Sequence, residues 1–228
     1  MATTCTLKES ASSTFLTNSS HTLSAFTSFG VYSIAVLLAR TDHSTQNNDR
    51  YISSVTDTQG NVWTQLSSTK IGADVGDVDP WIQLFICYMD IPLTDSDSIT
   101  CTYNATNNNK QLRLFEIATN SSGYEAYLVD STFNATSGQS CLGIGCAVDT
   151  GGGTCSVSSV NNSPPITWQD SGSTVQCGYI SNYSSGSASW SVTYSEEVGM
   201  EGYVAARFGE RLSLRNVSII GQSGFFGL

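Results

Sequence analysis

Gly30-Val-Tyr-Ser-Ile-Ala-Val-Leu-Leu-Ala-Arg40 is the stretch that decides the fold class. It is apolar on both alternating faces, as expected of a strand buried between layers of a sandwich. Thr41 to Arg50 follows as a polar loop. Tyr51 to Thr56 and Asn61 to Ser67 then read as strands around Asp57-Thr-Gln-Gly-Asn61. In that turn, Gly60 and Asn61 supply the positive-φ positions that a tight reversal needs. Asp57 and Gly60 are assigned to shaping it.

Trp81 to Asp90 alternates, with Ile82, Leu84, Ile86 and Tyr88 on one face and Trp81, Gln83, Phe85 and Cys87 on the other. Ile99, Cys101 and Tyr103 oppose Ser98, Thr100 and Thr102, the pattern of a half-buried antiparallel strand. Leu112 to Ala118 gives the next strand, past a turn at Asn107-Asn108-Asn109. Further strands are predicted at Tyr127 to Asp130, Leu142 to Val148, Cys155 to Val160, Val175 to Ser181, Ala188 to Tyr194 and Gly202 to Phe208. Glycine, proline and serine clusters separate them. Only Ser10 to Phe15 suggests a short helical turn. The expectation is an all-β chain: a two-sheet antiparallel β-sandwich or jelly roll over residues 21–208. A polar N-terminal arm (1–20) and a C-terminal extension (209–228) flank it.

Composition narrows the function. Nine Lys+Arg against nineteen Asp+Glu give a formal charge of -10. That balance disfavours nucleic acid, whose phosphates need clustered cations, and an anionic membrane surface. No signal peptide and no membrane span is legible, so synthesis in a cytoplasm is expected. The Ser-, Thr- and Asn-rich composition nevertheless suits an exposed surface, and a virus particle reconciles the two. Seven cysteines is an odd number, and cytoplasmic synthesis favours free, buried thiols. A hairpin pairing of Cys87 with Cys101 stays open.

Catalytic patterns are sparse. Asp42-His43-Ser44 has triad residue types, but sequence neighbours cannot adopt the relay geometry. The cysteine spacings match no zinc knuckle. Asp74, Asp77 and Asp79 cluster in one loop and offer oxygen ligands for calcium, without EF-hand spacing; no other cofactor is expected. Glu116, Glu125, Glu196, Glu197 and Glu201 include no evident glycosidase pair. Aromatic side chains give the binding hypothesis, with Trp168, Tyr179 and Tyr183 as candidate ligand-stacking residues. Trp63 and Trp190, inside predicted strands, are assigned to the core.

Ser53-Ser-Val-Thr-Asp-Thr-Gln-Gly-Asn-Val-Trp-Thr64 resembles the V-x-D-x-x-G-N-x-[YW] strand-turn-strand signature of a sandwich module found in tailed-phage structural proteins and bacterial surface proteins. A strand like Tyr32 to Ala39 precedes the signature in such modules. Strands like Ile82 to Asp90, Ser98 to Tyr103 and the Glu-bearing Leu114-Phe-Glu116 follow it. Ile117-Ala-Thr-Asn stands where the family commonly has Tyr-Ser-Gly. The resemblance implies a folding motif without catalytic residues. The resulting expectation is a non-enzymatic virion structural protein, a capsid decoration or cement protein. Its partners would be capsid or other virion proteins and copies of itself. A carbohydrate-binding module or tail receptor-binding protein with a host glycan as ligand is the alternative; a jelly-roll hydrolase ranks last.

Overall fold

The computed structural model describes residues 3–42, 49–71, 80–119, 123–135, 138–148, 154–159, 166–170, 173–180, 188–195 and 200–210. These residues form strands and connections, with no helix among them. The strands are β1 (Thr4–Leu23), β2 (Ile34–Asp42), β3 (Ile52–Asp57), β4 (Trp63–Lys70), β5 (Trp81–Tyr88), β6 (Ile99–Ala118) and β7 (Tyr124–Leu128). They continue with β8 (Thr132–Ala135), β9 (Ser140–Val148), β10 (Thr154–Ser159), β11 (Ile166–Asp170), β12 (Ser173–Ile180), β13 (Ala188–Ser195) and β14 (Met200–Glu210).

Three antiparallel sheets stack face to face. The first runs β1-β6-β2-β5-β4, with β3 also paired to β6. The second runs β11-β12-β9-β14-β7, and the third β10-β13-β8. Ile34, Val36, Leu38, Ile82, Leu84 and Phe115 of the first sheet pack on Leu142, Ile144, Val175, Val204 and Phe208 of the second. The opposite side chains of the same central strands, Ala35, Leu37, Ala39, Phe85 and Cys87, enter another core beneath β3 and the early part of β6. Cys141, Ile180 and Ala205 of the second sheet meet Cys155 and Val192 of the third. Burial on both faces is why Ile34 to Ala39 has no polar alternation.

Long β6 makes this layering possible. Ile99 to Tyr103 pairs with β3, whereas Asn109 to Ile117 pairs with β2. One strand therefore passes from the outer layer into the central sheet. The expected turn at Asn107 to Asn109 is absent; these residues lie inside β6 where it changes neighbours. β1 follows β6 along its length, from Thr4 opposite Ala118 to Leu23 opposite Ile99. Its register shifts between Thr14 and Asn18 and between Asn18 and Ser20 absorb the same passage.

Several expectations are corrected here. The N-terminal segment is an edge strand of the first sheet, so the boundary between an arm 1–20 and the domain falls inside β1. Ser10 to Phe15 is strand, not helical turn, because β6 supplies its backbone partners. Cys87 and Cys101 are both free thiols. Their strands pair with other strands instead of forming a hairpin with each other. Burial pushes each thiol up to about 12, with the Asp57 and Asp90 charges adding to the shift at Cys87. Residues 211–228, most of the expected C-terminal extension, lie outside the described residues.

Candidate functional site

The signature forms a corner between layers, not a hairpin. β3 pairs with β6 while β4 pairs with β5, so the two strands that flank the turn belong to different layers. Gly60 sits at φ 77°, and its N–H donates to the Asp57 carbonyl at 3.3 Å. The Asp57 carboxylate is the corner's hub. Its Oδ1 accepts from the N–H groups of Gln59 (2.9 Å) and Asn61 (3.1 Å), and its Oδ2 from Trp63 Nε1–H (2.8 Å). Trp63 is thereby held half-buried against the outer core.

Asn61 works differently from the expectation, since Tyr32 is the one non-glycine at positive φ among the described residues. Asn61 uses its side chain instead. Its Nδ2–H donates to the Ile91 carbonyl and its Oδ1 accepts from the Ile91 N–H, both at 3.0 Å. The amide thus imitates a strand partner and ties the corner to the loop after β5. Asp97 locks that loop from the other side. It accepts from Thr58 Oγ1 (2.7 Å), from Thr94 N–H and Oγ1 (each 2.8 Å) and from Gln59 Nε2 (2.8 Å). Those donors, the Thr58 hydroxyl foremost, hold its carboxyl well below the usual carboxylate range.

Glu116 builds a second clasp. Its Oε1 accepts from Gly30 N–H (2.6 Å) and Ser33 Oγ (2.5 Å), and its Oε2 pairs with Lys8 Nζ at 2.7 Å. Lys8 also donates to the Ser28 carbonyl (2.7 Å) and lies over the Phe29 ring. Burial raises the Glu116 pKa, but the Gly30 N–H, Lys8 and the Ser33 hydroxyl outweigh it and leave it lowered. The clasp grips both ends of a four-residue turn, Gly30-Val-Tyr-Ser33, closed by Ser33 N–H to Gly30 carbonyl at 3.3 Å. Tyr32 occupies its third position at φ 66°, where glycine is the usual residue. A bulky side chain there costs about 1–3 kcal/mol. Thr119 Oγ1 donates to the Tyr32 carbonyl at 2.6 Å, and Met89 N–H to the Ser33 carbonyl at 3.0 Å. The strand predicted from Gly30 therefore starts four residues later, at Ile34, because Glu116 fixes the turn ahead of it.

Between this turn, the loop after β5 and the start of β7 lies an open cleft of about 490 Å³. Val31, Tyr32, Tyr88, Asp90, Tyr124 and Glu125 are among its lining residues. Tyr32 and Tyr88 are 52% and 44% exposed, whereas the Tyr124 ring is buried. The Tyr88 hydroxyl accepts from Ala126 N–H at 3.1 Å, which joins β5 to β7 beside the cleft. Glu125 Oε2 accepts from the Tyr127 hydroxyl at 3.0 Å.

Of the three aromatic residues expected to stack a ligand, Tyr179 lies in the core. Tyr179 packs edge-on to Phe115, ring centroids 5.6 Å apart, in the core between the first and second sheets. Its place on the inward face of β12 commits the ring to packing instead of an exposed platform. Trp168 lies on β11, the edge strand of the second sheet, opposite Val175. Tyr183 lies outside the described residues, as do His43, the Asp74, Asp77 and Asp79 loop, Glu196 and Glu197. Trp190 pairs with Phe133 and Ser159 in the third sheet. Sequence reading missed the cleft because residues 31–34, 88–92 and 123–125 meet only in space. One signal was present: Tyr88 ends an alternating strand on its apolar face, yet an acidic residue and a proline follow within four positions.

Comparisons with known protein families, with curated proteins and with solved structures gave no match.

Proposed function

We propose that this chain is a non-enzymatic structural module of a virus particle, a capsid decoration or cement protein of the tailed-phage kind. The observation that supports this reading is the use made of its most heavily bonded acids. Asp57, Asp97 and Glu116 each accept three or more hydrogen bonds or ion pairs; Asp57 holds the 57–63 corner together, whereas Asp97 and Glu116 join segments distant in sequence. A carboxylate engaged by that many donors is held in place as an anion and serves as a strut. The resemblance of the corner to the phage-module signature supplies the location. The hydroxyl-rich, acidic composition favours a soluble particle exterior. Capsid proteins and further copies of this chain are the proposed partners.

The test is quantitative mass spectrometry of gradient-purified particles from the source culture, with the coat protein as internal standard. A copy number comparable with the coat protein is expected. Complete absence from the particles overturns the proposal.

A further inference from the structure

We propose that the cleft lined by Tyr32, Tyr88, Asp90 and Glu125 binds a short neutral glycan, a di- or trisaccharide presented on a surface. Glycan recognition would then sit at this cleft and not at Trp168, Tyr179 and Tyr183.

The argument starts from where exposed apolar surface gathers. Isolated exposed apolar side chains need no explanation, whereas clustered ones mark binding surfaces. Val31, Tyr32 and Tyr88, all exposed, border this one cleft, and exposed Ile91 adjoins it between the lining residues Asp90 and Pro92. A tyrosine presents an apolar face and a polar tip. That combination matches a sugar ring, whose C–H face stacks and whose rim of hydroxyls hydrogen-bonds. The size is within the range of small-ligand sites.

Charge narrows the ligand class. The lining includes the carboxylates of Asp90 and Glu125 and, among the described residues, no lysine or arginine. Ionised carboxylates only accept hydrogen bonds. They favour a ligand rich in hydroxyl donors and repel sialylated or phosphorylated ones. A protein of formal charge -10 adds to that repulsion.

The cleft is also pre-organised. Glu116 clamps the turn that carries Tyr32. Asn61, within the signature, holds the loop that carries Asp90 through Ile91. Tyr88 is tied to β7 beside Glu125. Glu116 and Asn61 are positioning residues: each holds a turn or loop that carries lining residues. Backbone strain at a bulky exposed side chain, as at Tyr32, is found where a site needs that side chain displayed. None of this depends on the virion reading, because a binding cleft is compatible with a shell or tail protein and with a free module.

The test is isothermal titration of the full chain with cellotriose, maltotriose, mannotriose and triacetylchitotriose, with sialyllactose and choline as controls. Saturable binding of at least one neutral trisaccharide is expected, with negligible binding of both controls. Tyr32→Gly and Asp90→Asn should each weaken it by about tenfold or more while circular dichroism stays unchanged. No saturation by any neutral sugar up to about 10 mM, well above a millimolar Kd, overturns the proposal. So does tighter binding of sialyllactose or choline, or neutral-sugar binding that both variants leave intact. Particle copy number is read separately, so either proposal can fail without the other.

Discussion

Two sets of acids in this molecule have opposite fates. Asp57, Asp97 and Glu116 are each engaged by three or more backbone and side-chain donors. Asp90 is exposed beside a cleft, and Glu125, which accepts from the Tyr127 hydroxyl, shares that lining. The difference is not acidity or burial alone but the number of donors the fold aims at each carboxylate. A carboxylate so engaged holds segments together; one with acceptor capacity to spare can serve a ligand.

That contrast breaks most readily at Glu116. Glu116→Ala leaves Lys8 largely buried without its counter-charge and frees both ends of the 30–33 turn. A loss of about 3 kcal/mol is expected in urea unfolding, the lower end for an orphaned buried ion. Acid should reach the same clasp. The Glu116 and Asp97 carboxyls are both lowered in the folded chain. Their stabilisation is therefore complete above the ordinary carboxylate range and fades as pH falls through their lowered values. The thermal midpoint should decline progressively below about pH 4.5, and Glu116→Gln should flatten that decline.

Asp57→Ala removes the acceptor of four donors at once, the Trp63 indole among them. We expect a loss of about 2 kcal/mol, in line with hydrogen bonds to a charged group, together with a shift in tryptophan fluorescence. Tyr32→Gly should act in the other direction, stabilising by about 1 kcal/mol because glycine adopts positive φ without penalty. A destabilised variant would mean that the Tyr32 ring supports the fold, which would undercut its placement in the cleft. Smallest of all, Asp90→Asn should shift stability by no more than about 0.5 kcal/mol, as at an ordinary surface position.

The sequence made the strand class legible where burial imposes a pattern. Ile34 to Ala39 had to be strand between two layers, and Ile82 to Ile86 likewise. The corner was legible as a turn through Asp57 and Gly60, but its neighbours were not. Nothing local distinguishes a hairpin from a crossing between layers, since both use the same turn residues. β1 escaped notice because an edge strand tolerates Ser, Thr and Asn, the composition of an unstructured arm. β6 was split at Asn107 to Asn109 for a related reason: turn-forming residues sit where the strand changes partners. The cleft was beyond reach, because it is assembled from a turn before β2, a loop after β5 and the head of β7.

The pairing of β1 with β6 has a consequence in time. Thr4 finds its partner only at Ala118, so β1 leaves the ribosome well before the strand that completes its pairing. At ordinary synthesis rates of about 5–20 residues per second, the delay is on the order of 5–20 s. Contacts this distant in sequence slow folding, and an apolar strand left unpaired for so long invites aggregation. The Ser- and Thr-rich make-up of β1 lets it stay dissolved through that interval. The composition that disguises this strand also protects the nascent chain until β6 arrives.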